Sequence, residues 1–133
     1  MSGLYLLDTN AASAILRQQE PVCTRAASVP LSSLAISSVT AGEMHYGLAK
    51  RPQATTLAKL VHEFLRYAEI LPWTDAVAPH YGTLRAALEA EGITIAPLDL
   101  MIAAHALAAD ATLVSADKAL SRIGILRTED WGL

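Results

Sequence analysis

Short apolar runs alternate with helix-like patterns along this chain, and that alternation leaves few folds open to it. Residues 4–7, 34–37 and 112–114 are too short for helices and apolar enough for strands buried on both faces. Between them, residues 11–17, 38–48, 55–69, 75–91 and 100–109 carry helical spacing. In the 55–69 segment, Leu57, Leu60, Val61, Phe64, Leu65 and Ala68 lie opposite Lys59, His62, Glu63 and Arg66. Residues 26–29, ahead of Pro30, read as the end of a further helix. Residues 70–73 admit only a short edge strand because Pro72 has no ladder donor. Residues 118–122 predict a short helix and residues 125–127 a last strand. Strands that alternate with helices in so short a chain predict an α/β fold. We expect one domain over residues 1–133, with a mostly parallel central sheet of four to five strands and helices on both faces.

Four of the boundaries in this pattern hold a carboxylate: Asp8 after Leu7, Glu43 after the Leu34-Ala35-Ile36 run, Asp99 before Leu100, and Asp117 after Val114. Each has an ordinary reading. Asp8, Asp99 and Asp117 suit helix N-caps, and Glu43, three residues after Thr40, suits the returning arm of a capping box. Ligand crevices of open parallel sheets lie outside the carboxyl ends of the strands, so acids far apart in sequence can meet there. Asp8 moreover follows an apolar strand, where an unpaired charge is costly. Gathered carboxylates need a cation. Their hard oxygens suit Mg²⁺ or Mn²⁺ and leave coordination places for water and phosphate, which is the chemistry of metal-assisted phosphodiester cleavage.

Charge and composition narrow the classes further. Lys and Arg total 10 against 13 Asp and Glu, a formal net charge of -3, and two divalent cations held by the four acids would bring the sum to about +1, so an RNA partner is compatible. One cysteine, Cys23, gives neither a disulfide framework nor a zinc ligand set, and suits a small core residue in a reducing compartment. The Met1-Ser2-Gly3-Leu4 start lacks a charged signal-peptide region and no apolar run reaches the ~20 residues of a membrane span, so the expected location is cytoplasmic.

The ordered set Leu7-Asp8-Thr9-Asn10, Ser37-Ser38-Val39-Thr40-Ala41-Gly42-Glu43 with Gly47, Asp99-Leu100-Met101-Ile102-Ala103-Ala104-His105-Ala106, and Val114-Ser115-Ala116-Asp117-Lys118 closing on Gly124 to Trp131 resembles the PIN-domain ribonucleases. More narrowly, it resembles the VapC toxins of bacterial toxin–antitoxin pairs. The resemblance implies a metal-dependent endoribonuclease, using Mg²⁺ or Mn²⁺, that cuts structured RNA in a single-stranded loop, with a tRNA anticodon region the expected target, and so stops translation. It makes Asp8, Glu43, Asp99 and Asp117 the catalytic and metal-binding acids, and Asn10, Thr40 and Ser115 the residues that orient them. It implies as well a VapB-like antitoxin lying across the acids, a homodimer within a larger assembly, and no membrane. Two departures lie beside the fourth acid: Ala116 stands where the family often has Asn or His, and Ala119-Leu120 where an acid and Phe are usual. These favour, as the alternative, a non-catalytic PIN-fold module that binds RNA or a partner. A third reading, an aspartyl phosphotransferase with Asp8 as nucleophile, fits less well because position 10 is Asn10 where a second Asp is wanted.

Outside the acids, His45, His62, His80 and His105 show no triad pattern and are expected to be structural or surface residues. Trp73 and Trp131 read as packing residues. For RNA phosphates we rank Arg85 and Lys118 first, with Arg17, Lys50 and Arg51 behind them as candidate charges at helix C-termini a helix length from the acids.

Overall fold

The computed structural model describes residues 3–133. The elements run β1 (Tyr5–Leu7), α1 (Thr9–Leu16), α2 (Val22–Ala27), β2 (Leu34–Ser37), α3 (Ser38–Lys50), α4 (Thr55–Tyr67), β3 (Glu69–Leu71), α5 (Ala78–Ala90), α6 (Pro97–Ala108), β4 (Thr112–Val114), α7 (Lys118–Ser121) and β5 (Thr128–Glu129). One five-stranded sheet has the order β3-β2-β1-β4-β5, and its pairings are all parallel.

The pleat divides each central strand between two cores, because successive side chains point to opposite faces. Leu6, Ala35 and Leu113 join Leu84, Leu88, Leu100, Ile102 and Leu120 from α5, α6 and α7. Leu7, Ile36 and Val114 join alanines of α1, Val22, Met44 and Val61 from the helices on the other face. Register keeps the sets apart: Leu6 pairs with Ala35 and Leu113, Leu7 with Ile36 and Val114. Buried on both sides, these strands are apolar throughout and do not alternate. In α6, Ala103, Ala104 and Ala106 are fully buried, and their small side chains let the helix lie close against the sheet.

Strand order places the site. The chain steps from β1 outward to β2 and β3, then returns to lay β4 on the opposite side of β1, so the winding reverses between β1 and β4. Such a reversal opens a crevice outside the carboxyl ends of the two strands. Asp8 follows β1 there, its N–H bonded to the Val114 carbonyl at 3.1 Å, and Ser115-Ala116-Asp117 follow β4.

Three local expectations differ from the structure. The last strand is Thr128–Glu129, not residues 125–127: Leu126 N–H turns back to the Ile123 carbonyl, Ile125 is 73% exposed, and pairing starts with Leu113 N–H on the Arg127 carbonyl. No capping box joins Thr40 to Glu43, because Ser37 is the N-cap of α3 and its hydroxyl accepts the Val39 N–H at 3.1 Å, leaving Glu43 further along the helix. Asp99 is not a cap either. Ala96 stands at the N-cap of α6 and Asp99 lies in the first turn, where the helix dipole still favours an anion. Among the described residues, no helix is long and apolar enough to cross a membrane.

Trp131, 2% exposed, packs its ring against Tyr5 with centroids 5.3 Å apart, and Arg25 lies over the same indole while pairing with Glu129 at 2.9 Å. The C-terminal segment thereby closes the core on the α1 and α2 face. Gly132 follows with φ +91, where the Pro21 ring leaves no room for a Cβ.

Candidate active site

A cleft of about 520 Å³ opens at the reversal and is lined by Asp8, Asp99 and Asp117, with Asn10, Ser13, Arg17 and Ala116 around them. Helix starts supply the acids. Asp8 caps α1, its Oδ1 accepting the Ala11 N–H at 2.8 Å, and Asp117 caps α7, its Oδ1 accepting the Ala119 N–H at 2.8 Å. The capping and the functional readings of these two residues are therefore compatible: one carboxylate oxygen caps while the side chain still lines the cleft.

Glu43 comes from the second turn of α3 and is held by a residue that sequence reasoning passed over. Thr9, the first residue of α1, donates its hydroxyl to Glu43 Oε1 at 2.5 Å. The only sequence signal was its place between Asp8 and Asn10. Of the three expected orienting residues, Ser115 does touch the site: its hydroxyl bonds the Asp8 carboxylate and accepts the Asp117 N–H at 3.0 Å, tying two of the acids together. Asn10 lines the cleft. Thr40 is fully buried, and its hydroxyl has no hydrogen-bond partner among the described residues.

Burial pushes the Asp8 carboxyl above its ordinary range, the Ala11 N–H and Ser115 hydroxyl pull it back in part, and the charges of Asp99 and Asp117 raise it further. Asp99 is likewise raised, first by burial and then by Asp117 and Glu43. Asp8 thus feels Asp99 and Asp117, and Asp99 feels Asp117 and Glu43, although Glu43 itself is not among the residues that line the cleft. No Lys, Arg or His is among the groups acting on Asp8 or Asp99. Among the described residues, no group of three or more His, Cys, Asp or Glu is closed tightly enough to hold a metal ion as it stands. The donor set itself, all hard carboxylate oxygens, fits a divalent cation of the Mg²⁺ or Mn²⁺ kind and would be a poor site for a soft metal.

The basic residues fall differently from their expected ranking. Arg85 lies on α5, bonds Glu89 and the Tyr81 hydroxyl, and lines a separate pocket. Lys118 follows Asp117 as the first residue of α7 and is absent from the cleft lining. Arg17, expected a helix length from the acids, lines the same cleft because α1 runs along its wall.

His105 is buried, its imidazole pushed down by that burial and so neutral near pH 7, with Nδ1 2.8 Å from Ser37 Oγ. Ser37 is fully buried, so this serine–histidine pair meets no substrate and instead ties α6 to the start of α3. Trp73 donates its indole N–H to the Met101 carbonyl. Cys23 is half-buried near the Ile15 carbonyl.

A family model of the PIN domain matches residues 5–126. The tRNA(fMet)-specific endonuclease VapC of Shigella flexneri is 30% identical over 128 residues, spanning 96% of this chain and 97% of that protein. Ribonuclease VapC2 of Rickettsia felis is 34% identical over 131 residues, spanning 96% and 98%. Among solved structures, VapBC2 from Rickettsia felis bound to a promoter DNA fragment superposes with a TM-score of 0.88 at 30% identity, covering 96% of this chain and 98% of that one.

Proposed function

The chain belongs to the PIN-domain family and sits with its VapC ribonucleases, and on that footing we propose that it is an endoribonuclease toxin that uses Mg²⁺ or Mn²⁺ to cut structured RNA. The observation that carries the reading is the cleft at the β1/β4 reversal, where Asp8, Asp99 and Asp117 line one space, and Glu43 acts on Asp99 from α3.

In this reading Asp8 and Asp99 are the principal metal ligands, and Glu43 and Asp117 bind or orient the metal and its water. When bound, the cation supplies an acidified water and charge neutralisation at the phosphate. The protein's own share is positioning. Ala11 N–H and Ser115 fix Asp8, Thr9 fixes Glu43, and the cap on α7 fixes Asp117, while the Asp99 carboxylate makes no hydrogen bond among the described residues. Capping engages Oδ1 of Asp117, and Thr9 engages Oε1 of Glu43, so each keeps a second oxygen for a cation. No covalent nucleophile is needed.

A single-stranded loop is the fitting substrate because an unstacked backbone can bend a phosphate into so narrow a site, whereas a duplex holds its backbone out of reach. The Shigella flexneri relative is named for tRNA(fMet), which makes a tRNA loop the first substrate to try. For the silencing partner we propose a VapB-like antitoxin. A second, apolar groove of about 960 Å³, lined by Ile15, Leu16, Leu31, Leu60, Phe64 and Tyr67 among others, suits an amphipathic helix laid between α1 and α4. Exposed Tyr46, Leu98 and Ile125 offer apolar surface for a homodimer, which light scattering of the purified chain would test.

The central test is cleavage of a tRNA pool by the purified chain with Mn²⁺, with EDTA, and by the Asp99→Asn chain. Loss of a ligand is expected to lower cleavage on the order of 10²-fold. Ala116 in the cleft lining favours the second reading, a non-catalytic RNA-binding module. Retention of RNA without any cut in metal-replete buffer would establish that reading and overturn this one.

A further inference from the structure

On α1, Asn10, Ser13, Ala14 and Arg17 are spaced as i, i+3, i+4 and i+7, which puts them on one face of the helix, and all four line the acidic cleft. The helix begins at Asp8, beside the proposed metal, and ends at Arg17. Seven residues at about 1.5 Å each carry the stripe roughly 10 Å from Asn10 to Arg17 along the cleft wall. Arg17 is the one cation among the described residues lining this cleft.

Its charge is not engaged. Arg25, Arg85 and Arg127 pair with Glu129, Glu89 and Asp110, but Arg17 makes no ion pair among the described residues although the side chains of Asp8, Asp99 and Asp117 line the same cleft. It is exposed, and its backbone N–H closes α1 on the Ser13 carbonyl at 3.0 Å. A guanidinium offers planar paired donors matched to two oxygens of a phosphate.

We propose that the α1 stripe is a track for the RNA backbone, in which Arg17 grips a phosphate to one side of the cut bond and Ser13 and Asn10 offer hydrogen bonds to the backbone between. The inference rests on the endoribonuclease reading and adds the substrate subsite. It gives the enzyme a way to hold polyanion next to a cleft that would otherwise repel it, since one fixed cation stands at the far end of the acidic wall. Arg17 is here a binding residue that sets register, not a group at the reacting atoms.

The experiment compares the full chain with Arg17→Ala and Arg17→Lys on an RNA the parent chain cuts, at several salt concentrations. Arg17→Ala is expected to raise KM about ten- to hundredfold with kcat nearly unchanged, and to reduce the salt slope of binding by about one, with Arg17→Lys recovering part of both. A scan of substrates with one uncharged methylphosphonate linkage, moved through about four nucleotides on each side of the cut, locates the contact. The parent chain should lose affinity most at one linkage to one side of the cut, and Arg17→Ala should lose nothing further there. Unchanged KM and salt slope in Arg17→Ala, with only a lower Tm, would make Arg17 a helix-terminal charge and overturn the proposal while cleavage by the parent chain leaves the ribonuclease reading intact. A parent chain that cuts no RNA fails the other reading instead.

Discussion

Asp8→Asn is expected to make the metal-free chain more stable while it lowers cleavage on the order of 10²-fold, and the two effects have one origin. Asp8 is 9% exposed, and its carboxyl is raised by burial and then by Asp99 and Asp117. Asparagine keeps the oxygen that accepts the Ala11 N–H and caps helices about as well as aspartate, so α1 retains its start. What disappears is a buried like charge. Relief of this kind is worth about 1 kcal/mol, or about 4 °C in Tm for a chain of this size. The pH dependence follows from the direction of the shift. With the folded carboxyl raised above its unfolded value, the folded state binds more protons between the two, so the parent chain loses stability as pH rises through that window. The advantage of the Asp8→Asn chain should be complete at neutral pH and vanish below the ordinary carboxylate range, where both chains are uncharged at this position. Divalent metal should reverse the order. At about 100 times its Kd, Mn²⁺ adds about 2.7 kcal/mol to a chain that binds it, and far less to one that has lost a ligand. Thermal melts in EDTA and in Mn²⁺, from about pH 4 to pH 8 so as to span the carboxylate window, read all of this without an activity assay. A substituted chain less stable than the parent in EDTA at neutral pH, or an equal Mn²⁺ shift in both chains, would refute the electrostatic account of the cleft.

Thr9→Val keeps side-chain shape but removes the hydroxyl that holds Glu43, and should lower the cleavage rate by about tenfold with Tm little changed; a rate equal to the parent's would show that Glu43 needs no anchor. Gly132→Ala would drive a Cβ into the Pro21 ring at φ +91, so a loss of about 1–3 kcal/mol is expected in urea unfolding, and an unchanged midpoint would count against the close seal of the C-terminal segment on α2. Leu60→Glu, at a position 42% exposed in the apolar groove, should weaken antitoxin binding on the order of tenfold by calorimetry while the melt stays as before; undiminished affinity would place the antitoxin elsewhere.

Periodicity made most of the elements legible. Runs such as Leu4-Tyr5-Leu6-Leu7 and Thr112-Leu113-Val114 are short and apolar because both faces of a parallel strand are buried, and the 55–69 stripe is the α4 face that meets the core. The last strand misled because Ile125 is apolar yet exposed in a turn, while Thr128 and Glu129, polar by composition, take the ladder at the sheet edge. Asp8 and Asp117 were readable as caps and as site acids alike, and in the structure both cap a helix while lining the cleft. Thr9 was not singled out and Arg17 was ranked low, since a hydroxyl's partner 34 residues away and the wall along which a helix runs are properties of packing.

Sequence alone determined the alternation of strands and helices and the placing of acids at their junctions, because burial and capping act over a few residues and leave their mark locally. Tertiary structure decided which junctions share a space. Only the return of β4 to the far side of β1 brings the ends carrying Asp8 and Asp117 together, and only the lie of α1 along that opening sets an unpaired arginine beside them. Neither is written in any local pattern, because strand order and helix docking are fixed by how the two cores close on the sheet.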